Sequence, residues 1–184
     1  MAEFTVYGID DAPAEAKPIL EGAKKEMGMV PNLFGVMSES PNVLKGYKQL
    51  SELFTTSSLN AEEVTVVWQT INVENACHYC VPAHTAIASQ MGVSDEITQA
   101  LREEKPLPDK KLEALRQFTL AMVRQRGNPD KSTLNAFFEA GYQQQQVLDV
   151  ILGIAMKTLS NYTNHVAETP LDEPFKPLAW TKKA

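Results

Sequence analysis

The chain has 184 residues, 43% of them hydrophobic and 22% charged, with a formal net charge of -6. These figures suit one compact domain, or two small fused repeats, and are too apolar for a disordered chain. With no run of Lys or Arg it lacks the basic footprint of a nucleic-acid binder, and no apolar stretch reaches the length of a membrane span.

In chain order the sequence reads as helix after helix, so the predicted fold class is all-α. Residues 13–27 begin at Pro13 and carry Ile19, Leu20, Ala23 and Met27 at helical spacing. Pro31 and Pro41 bracket a short helix. Residues 42–56 follow, with Val43, Leu44, Tyr47, Leu50 and Phe54 on one face. The run from Val64 to Val73 is β-branched enough to pass for a strand. Asn60 followed by Glu63 reads as a capping box, however, and Val64, Val67, Trp68 and Ile71 recur at helical spacing, which favours a helix.

Ser94 caps a predicted helix over 95–103, with Asp95 and Glu96 in its first turn. Pro106 and Pro108 close it. Residues 109–126 carry Leu112, Leu115, Phe118 and Met122, and Gly127 stops them. Asp130 caps 131–140. The last long helix, 143–167, places Val147, Leu148, Ile151, Leu152, Ala155, Leu159 and Tyr162 on one face. After Pro170 an extended, proline-rich tail is expected to lie on the body. The predicted organisation is a single domain, 1–184, with a helical extension (1–58), a core (59–170) and the tail (171–184).

Both cysteines fall in Cys77-His78-Tyr79-Cys80-Val81-Pro82-Ala83-His84, which also holds two of the three histidines. Positions three, four and seven apart share a helix face, so Cys77, Cys80 and His84 would form one stripe. Pro82 is tolerated only in a first turn, which puts the start of this helix near Cys77–Val81. Thiols at a helix N-terminus gain thiolate character from unpaired N–H groups and the macrodipole. The pair can therefore do dithiol–disulfide chemistry, with the imidazole taking a thiol proton. The absence of βαβ alternation argues against a thioredoxin-like context.

Two other readings of the same residues stay open. They can be buried cysteines beside a surface histidine. They can also supply three zinc ligands, with His165 or Glu74 completing the set. The segment Met1 to Gly8 has neither a basic nor an apolar region and so does not read as an export signal. A reducing, cytoplasmic setting is expected, where two cysteines point to catalysis or metal rather than a permanent staple. Cys80-x-x-x-His84 and Asn161-x-x-x-His165 each follow an apolar helix, a faint echo of a duplicated helical unit.

The stretch from Glu74 to Thr85 resembles the alkylhydroperoxidase D-like (AhpD-like) branch of the carboxymuconolactone decarboxylase superfamily. So do Leu107-Pro108-Asp109, Leu112-Glu113-Ala114-Leu115, Lys157 to His165 and Thr169-Pro170-Leu171-Asp172. The resemblance covers most of the chain from about Leu59 onward. It implies an AhpD-like helical bundle, a homo-oligomer (trimer or hexamer), and a peroxidase or disulfide reductase. By that resemblance Cys80 attacks, Cys77 resolves, and His84 relays a proton from a Glu. The usual Glu position is Thr65 here; Glu62 and Glu63 fall too early, and Glu74 is the candidate substitute. His78 could tune a thiol or be solvent-exposed. Tyr79 could bond peroxide, though packing is the favoured role. Asn161 and His165 could face the site, with a satisfied structural histidine the favoured role for His165.

The function expected from the sequence is a thiol-dependent hydroperoxide or disulfide reductase. It takes a hydroperoxide substrate and an external dithiol or thiol-protein reductant, and needs no cofactor or metal. The alternatives are a redox-sensing or zinc-binding oligomeric module, and lactone or decarboxylase chemistry independent of the thiols. Decarboxylases of the superfamily generally lack the Cys-x-x-Cys pair present here.

Overall fold

The computed structural model describes residues 3–182. Met1 and Ala2, from the segment that does not read as an export signal by its sequence, and Lys183 and Ala184 of the predicted tail lie outside the described residues. Among the described residues nine α-helices run through α1 (Lys17–Met27), α2 (Asn32–Met37), α3 (Pro41–Thr55), α4 (Ala61–Glu74) and α5 (Cys80–Gln90) to α6 (Asp95–Arg102), α7 (Lys110–Arg124), α8 (Lys131–Glu139) and α9 (Gln144–Ala167). There is no strand among the described residues, as the all-α expectation requires. None of the described helices is long and apolar enough to cross a membrane.

The ambiguous β-branched run is helix α4. The capping box is complete: Asn60 Oδ1 accepts from the Glu63 N–H at 3.0 Å and Glu63 Oε2 accepts from the Asn60 N–H at 3.0 Å. From Glu63 to Val73 every residue of α4 is buried. The β-branched residues here record burial on all sides, not a strand. Helices α5, α6, α7 and α9 pack around α4. Ser94, Asp109 and Asp130 cap α6, α7 and α8 through their side chains, satisfying N–H groups that the first turn leaves free.

Two close approaches fix the long helix α9. It packs against α3 and α4, and a Cβ at Gly153 would stand 2.7 Å from the Phe54 ring. Only glycine lets these helices meet so closely. Helices α2 and α3, from the predicted extension, rest on α9 and bury Leu33, Leu44 and Phe54, so residues 1–58 supply part of the core.

The tail differs from a plain extended strand. Residues Glu173–Leu178 form a 3-10 turn against α5. The Asn32 side chain donates to the Pro170 carbonyl at 3.0 Å, Arg102 donates to the Leu178 carbonyl at 3.1 Å, and the Trp180 indole donates to the Arg102 carbonyl at 3.0 Å.

Candidate active site

Helix α4 ends by turning sharply onto the cysteines. Ala76 takes a left-handed conformation, φ 53°, and the Cys77 N–H returns to the Asn72 carbonyl at 2.9 Å. This is the geometry of a helix stop that normally favours glycine. Cys77 therefore sits in the turn before α5, while Cys80 opens α5. The Cys77 sulfur accepts the Cys80 N–H at 3.3 Å, capping the helix with a thiol. Pro82 lies in the first turn, as its missing N–H requires.

Helix α9 supplies the opposite wall. The Asn164 amide donates to the Cys80 sulfur at 3.2 Å and lies 3.8 Å from the Cys77 sulfur. The Cys80 sulfur lies 3.8 Å from the Ser160 hydroxyl. Lys157, fully buried, places its Nζ 2.8 Å from His84 Nε2. Behind them runs a chain of amides, all buried but for the half-buried Asn75: Asn75 donates to Asn161, Asn161 to Asn72, and Asn72 to Gln69. Gln69 donates to the Val81 carbonyl and the Thr85 hydroxyl. Such a network holds α4, α5 and α9 in one register because any slip strands a buried polar group.

These surroundings push the two thiols apart. Burial works against charge on Cys80. The hydrogen bond from Cys77, the charge of Lys157, and donors on Ser160 and Asn161 outweigh it, and the Cys80 thiol is held below its ordinary value. Cys77 is pushed the other way, first by its hydrogen bond to Cys80 and then by burial. The two thiols thereby differ in how readily each gives up its proton. Burial first, and the Lys157 charge second, hold the His84 imidazole well below its usual value, so it is neutral.

Cys80 and His84 open on a cavity of about 420 Å³. Leu33, Phe34, Tyr47, Trp68, Ile87 and Phe175 form its apolar walls. The Trp68 ring lies 4.5 Å from that of His84. Phe34, Tyr47 and Phe175 come from the predicted extension and tail, so both segments help to enclose the site.

The structure brings Cys77, Cys80 and His84 together and leaves Glu74 outside. Both Glu74 oxygens are held by Arg124, at 2.8 and 2.7 Å, with Lys182 at 3.9 Å. Glu62 is exposed. Glu63 is tied up in the cap and paired with Lys111 at 3.1 Å. Thr65 is buried, with no partner for its hydroxyl among the described residues. None of these glutamates stands beside His84; the Lys157 amino group does. His78 is exposed and its Nε2 lies 3.1 Å from the Thr169 carbonyl. The Tyr79 hydroxyl donates to Asp172 and accepts from the Leu33 N–H at 3.3 Å, a structural role. Asn161 faces the site, but His165 is exposed rather than a satisfied structural histidine. Neither Glu74 nor His165 reaches the thiols to complete a zinc set, and no cluster of three His, Cys, Asp or Glu side chains suited to a metal occurs among the described residues.

Sequence reasoning missed Lys157, Ser160 and Asn164. The signal was present. With Asn161 they recur at i, i+3, i+4 and i+7, a polar stripe along one face of the helix.

No protein-family model matches the sequence, and no curated protein matches it significantly. Solved structures do. An uncharacterised peroxidase-related protein from Ralstonia eutropha JMP134, with an alkylhydroperoxidase AhpD core, superposes with a TM-score of 0.82 at 18% identity, over 95% of this chain and 96% of that one. A peroxidase-related protein from Silicibacter sp. TM1040 gives 0.79 at 18% identity over 95% of both chains. A variant of the debrominase Bmp8 in complex with 2,3,4-tribromopyrrole gives 0.79 at 16% identity, over 96% of this chain and 95% of that one. The chain therefore has an AhpD-like fold, shared with peroxidase-related proteins and a debrominase.

Proposed function

We propose that the chain is a thiol-dependent hydroperoxide reductase. The Cys80 thiolate attacks the terminal oxygen of ROOH, giving Cys80 sulfenic acid and an alkoxide that leaves as ROH. The Cys77 thiol then displaces water from the sulfenic acid, forming the Cys77–Cys80 disulfide. An external dithiol, or a thiol protein, returns both cysteines to thiols. The reading suits a reducing compartment such as the cytoplasm, where such donors are kept reduced.

The observation that carries it is the asymmetry of the thiols: a stabilised Cys80 with donors aimed at its sulfur, and a protonated Cys77 one turn away. The test is hydroperoxide consumption with a dithiol donor. Wild type should turn over and Cys80→Ser should not. Cys77→Ser should react once per chain and retain a sulfenic acid. Turnover that survives Cys80→Ser would point to thiol-independent lactone or decarboxylase chemistry instead.

A second reading uses the same pair on another electrophile. The aromatic walls of the cavity suit a planar apolar ligand, and one structural neighbour is a debrominase. Dithiol-driven debromination would convert ArBr to ArH and bromide while the two thiols become a disulfide. Bromide release from bromopyrroles, set against hydroperoxide consumption, separates the two.

The chain is also proposed to self-associate. Leu148, Tyr162 and Val166 on α9 are 66%, 59% and 70% exposed, with Ile151 between them. A trimer or hexamer covering that stripe would remove it from water. Light scattering should return a multiple of 20.4 kDa.

A further inference from the structure

Lys157 is the least expected residue near the thiols. It is fully buried, its Nζ meets His84 Nε2 at 2.8 Å, and no carboxylate pairs with it among the described residues. An isolated ammonium in such a place is costly unless an anion compensates it. The anion available is the Cys80 thiolate, held on the same face of α9 by Ser160 and Asn164.

The hydrogen bond also sets the histidine. A charged lysine can only donate, so His84 Nε2 must accept, and the ring proton resides on Nδ1. That Nδ1 is buried and has no partner among the described residues. A buried donor left unpaired calls for a ligand. His84 borders the cavity one helical turn from Cys80.

We propose that Lys157 is the positioning residue of this site, fixing His84 as the Nδ1–H tautomer that protonates the leaving oxygen while its own charge balances the Cys80 thiolate. This rests on the thiol-reductase reading. The proton inventory is the reverse of the one the sequence suggested. His84 does not remove the Cys80 proton, because the resting pair is already thiolate and ammonium. When Cys80 takes the terminal oxygen of ROOH, the departing RO⁻ receives the Nδ1 proton of His84. The imidazole regains a proton at Nε2 from Lys157. The products are Cys80 sulfenic acid, ROH, neutral His84 and a neutral Lys157 amine. Net charge at the site is zero before and after.

The titratable groups facing Cys80 are Cys77 and His84, Lys157 from α9, Tyr47 from α3, and Tyr79 beside it. Burial holds both tyrosines above their ordinary values, and hence neutral. The experiment is therefore run in Cys77→Ser, following Cys80 by the pH dependence of alkylation, with no peroxide involved. Lys157→Met keeps the volume and removes the charge. Its titration midpoint should move up, and alkylation at neutral pH should slow by about tenfold when the midpoint rises by about one pH unit. Lys157→Arg should restore part of the low midpoint. Nitrogen NMR of the wild-type imidazole should show Nδ1 protonated, and in Lys157→Met the two tautomers should mix.

An unchanged midpoint in Lys157→Met, or a wild-type His84 protonated at Nε2, overturns the proposal. The wild-type spectrum decides it even if the variants do not fold. A shifted midpoint in a protein that consumes no hydroperoxide would sink the peroxidase reading and leave the charge pairing standing.

Discussion

Helices α7 and α9 carry opposite arrangements of the same kinds of residue. In α7 the apolar positions Leu112, Leu115, Phe118 and Met122 are buried, while Lys111, Gln117 and Arg124 face water. In α9 the buried face is Gly153, Lys157, Ser160, Asn161 and Asn164, with Val150 and Met156, while Leu148, Ile151, Tyr162 and Val166 are exposed. A helix that turns polar groups inward and apolar ones outward does not stabilise a monomer by the ordinary hydrophobic route. Its inner face lines the two thiols, and its outer face is the one through which self-association is proposed.

The largest test of this contrast is truncation. Phe118→Ala in α7 removes a ring stacked on Phe137 and should cost about 3–5 kcal/mol in denaturant unfolding. Leu148→Ala on α9 should change unfolding of the isolated chain by no more than about 0.5 kcal/mol, while weakening association in light scattering. Equal losses at the two positions would erase the distinction.

Gly153→Ala tests how closely α9 must approach. The new methyl would meet the Phe54 ring and Val67, so destabilisation of about 1–3 kcal/mol is expected. The displacement also moves Lys157, one turn on, relative to His84. Thiol alkylation should slow together with the loss of stability; full reactivity in a destabilised variant would show that the Lys157–His84 contact tolerates a displacement.

The inner face also makes stability depend on pH. Cys80 is depressed in the folded state, so its contribution is fully present above the unfolded value of about 8.5 and is lost as pH falls through the folded value. His84, also depressed, binds its proton first in the unfolded chain, so acidification below about 6.5 favours unfolding as well. Both effects raise stability with pH over the acid-to-neutral range. Thermal melts of Cys80→Ser across that range should show a shallower slope than wild type. An identical slope would mean that Cys80 is not a thiolate in the fold.

The smallest expected effect is Glu74→Gln. Its pair with Arg124 is more than half exposed on the Arg124 side, so about 0.2–1 kcal/mol of stability is at stake. The Cys80 titration should not move. A clear change would return the carboxylate to the relay.

The helices were legible because caps, prolines and apolar spacing are local. Asn60 with Glu63, Ser94, Asp109 and Asp130 mark starts that the structure repeats. Cys77, Cys80 and His84 were legible for the same reason, lying within eight consecutive residues. The surroundings of that cluster were not. Lys157 meets His84 across 73 residues, and nothing local distinguishes a buried lysine from a solvated one. The apolar residues of α9 could be placed on one face but not inside or outside, because periodicity reports that a helix has two faces and does not say which is inside. Glu74 was chosen for its closeness in sequence to Cys77, but it ends α4 pointing at Arg124 on α7.

The contact between Tyr79 and Asp172 has a consequence for the order of synthesis. The two residues are 93 positions apart, so at roughly 5–20 residues per second Asp172 is made roughly 5–20 s after Tyr79. Helix α9, with Asn164 and Lys157, also comes late. For that interval the nascent chain carries two cysteines without their amide donor, their countercharge or the wall that Phe175 provides. The thiols therefore acquire their unequal reactivity only once Lys157, Asn164 and the segment around Asp172 have been made and have packed against α5.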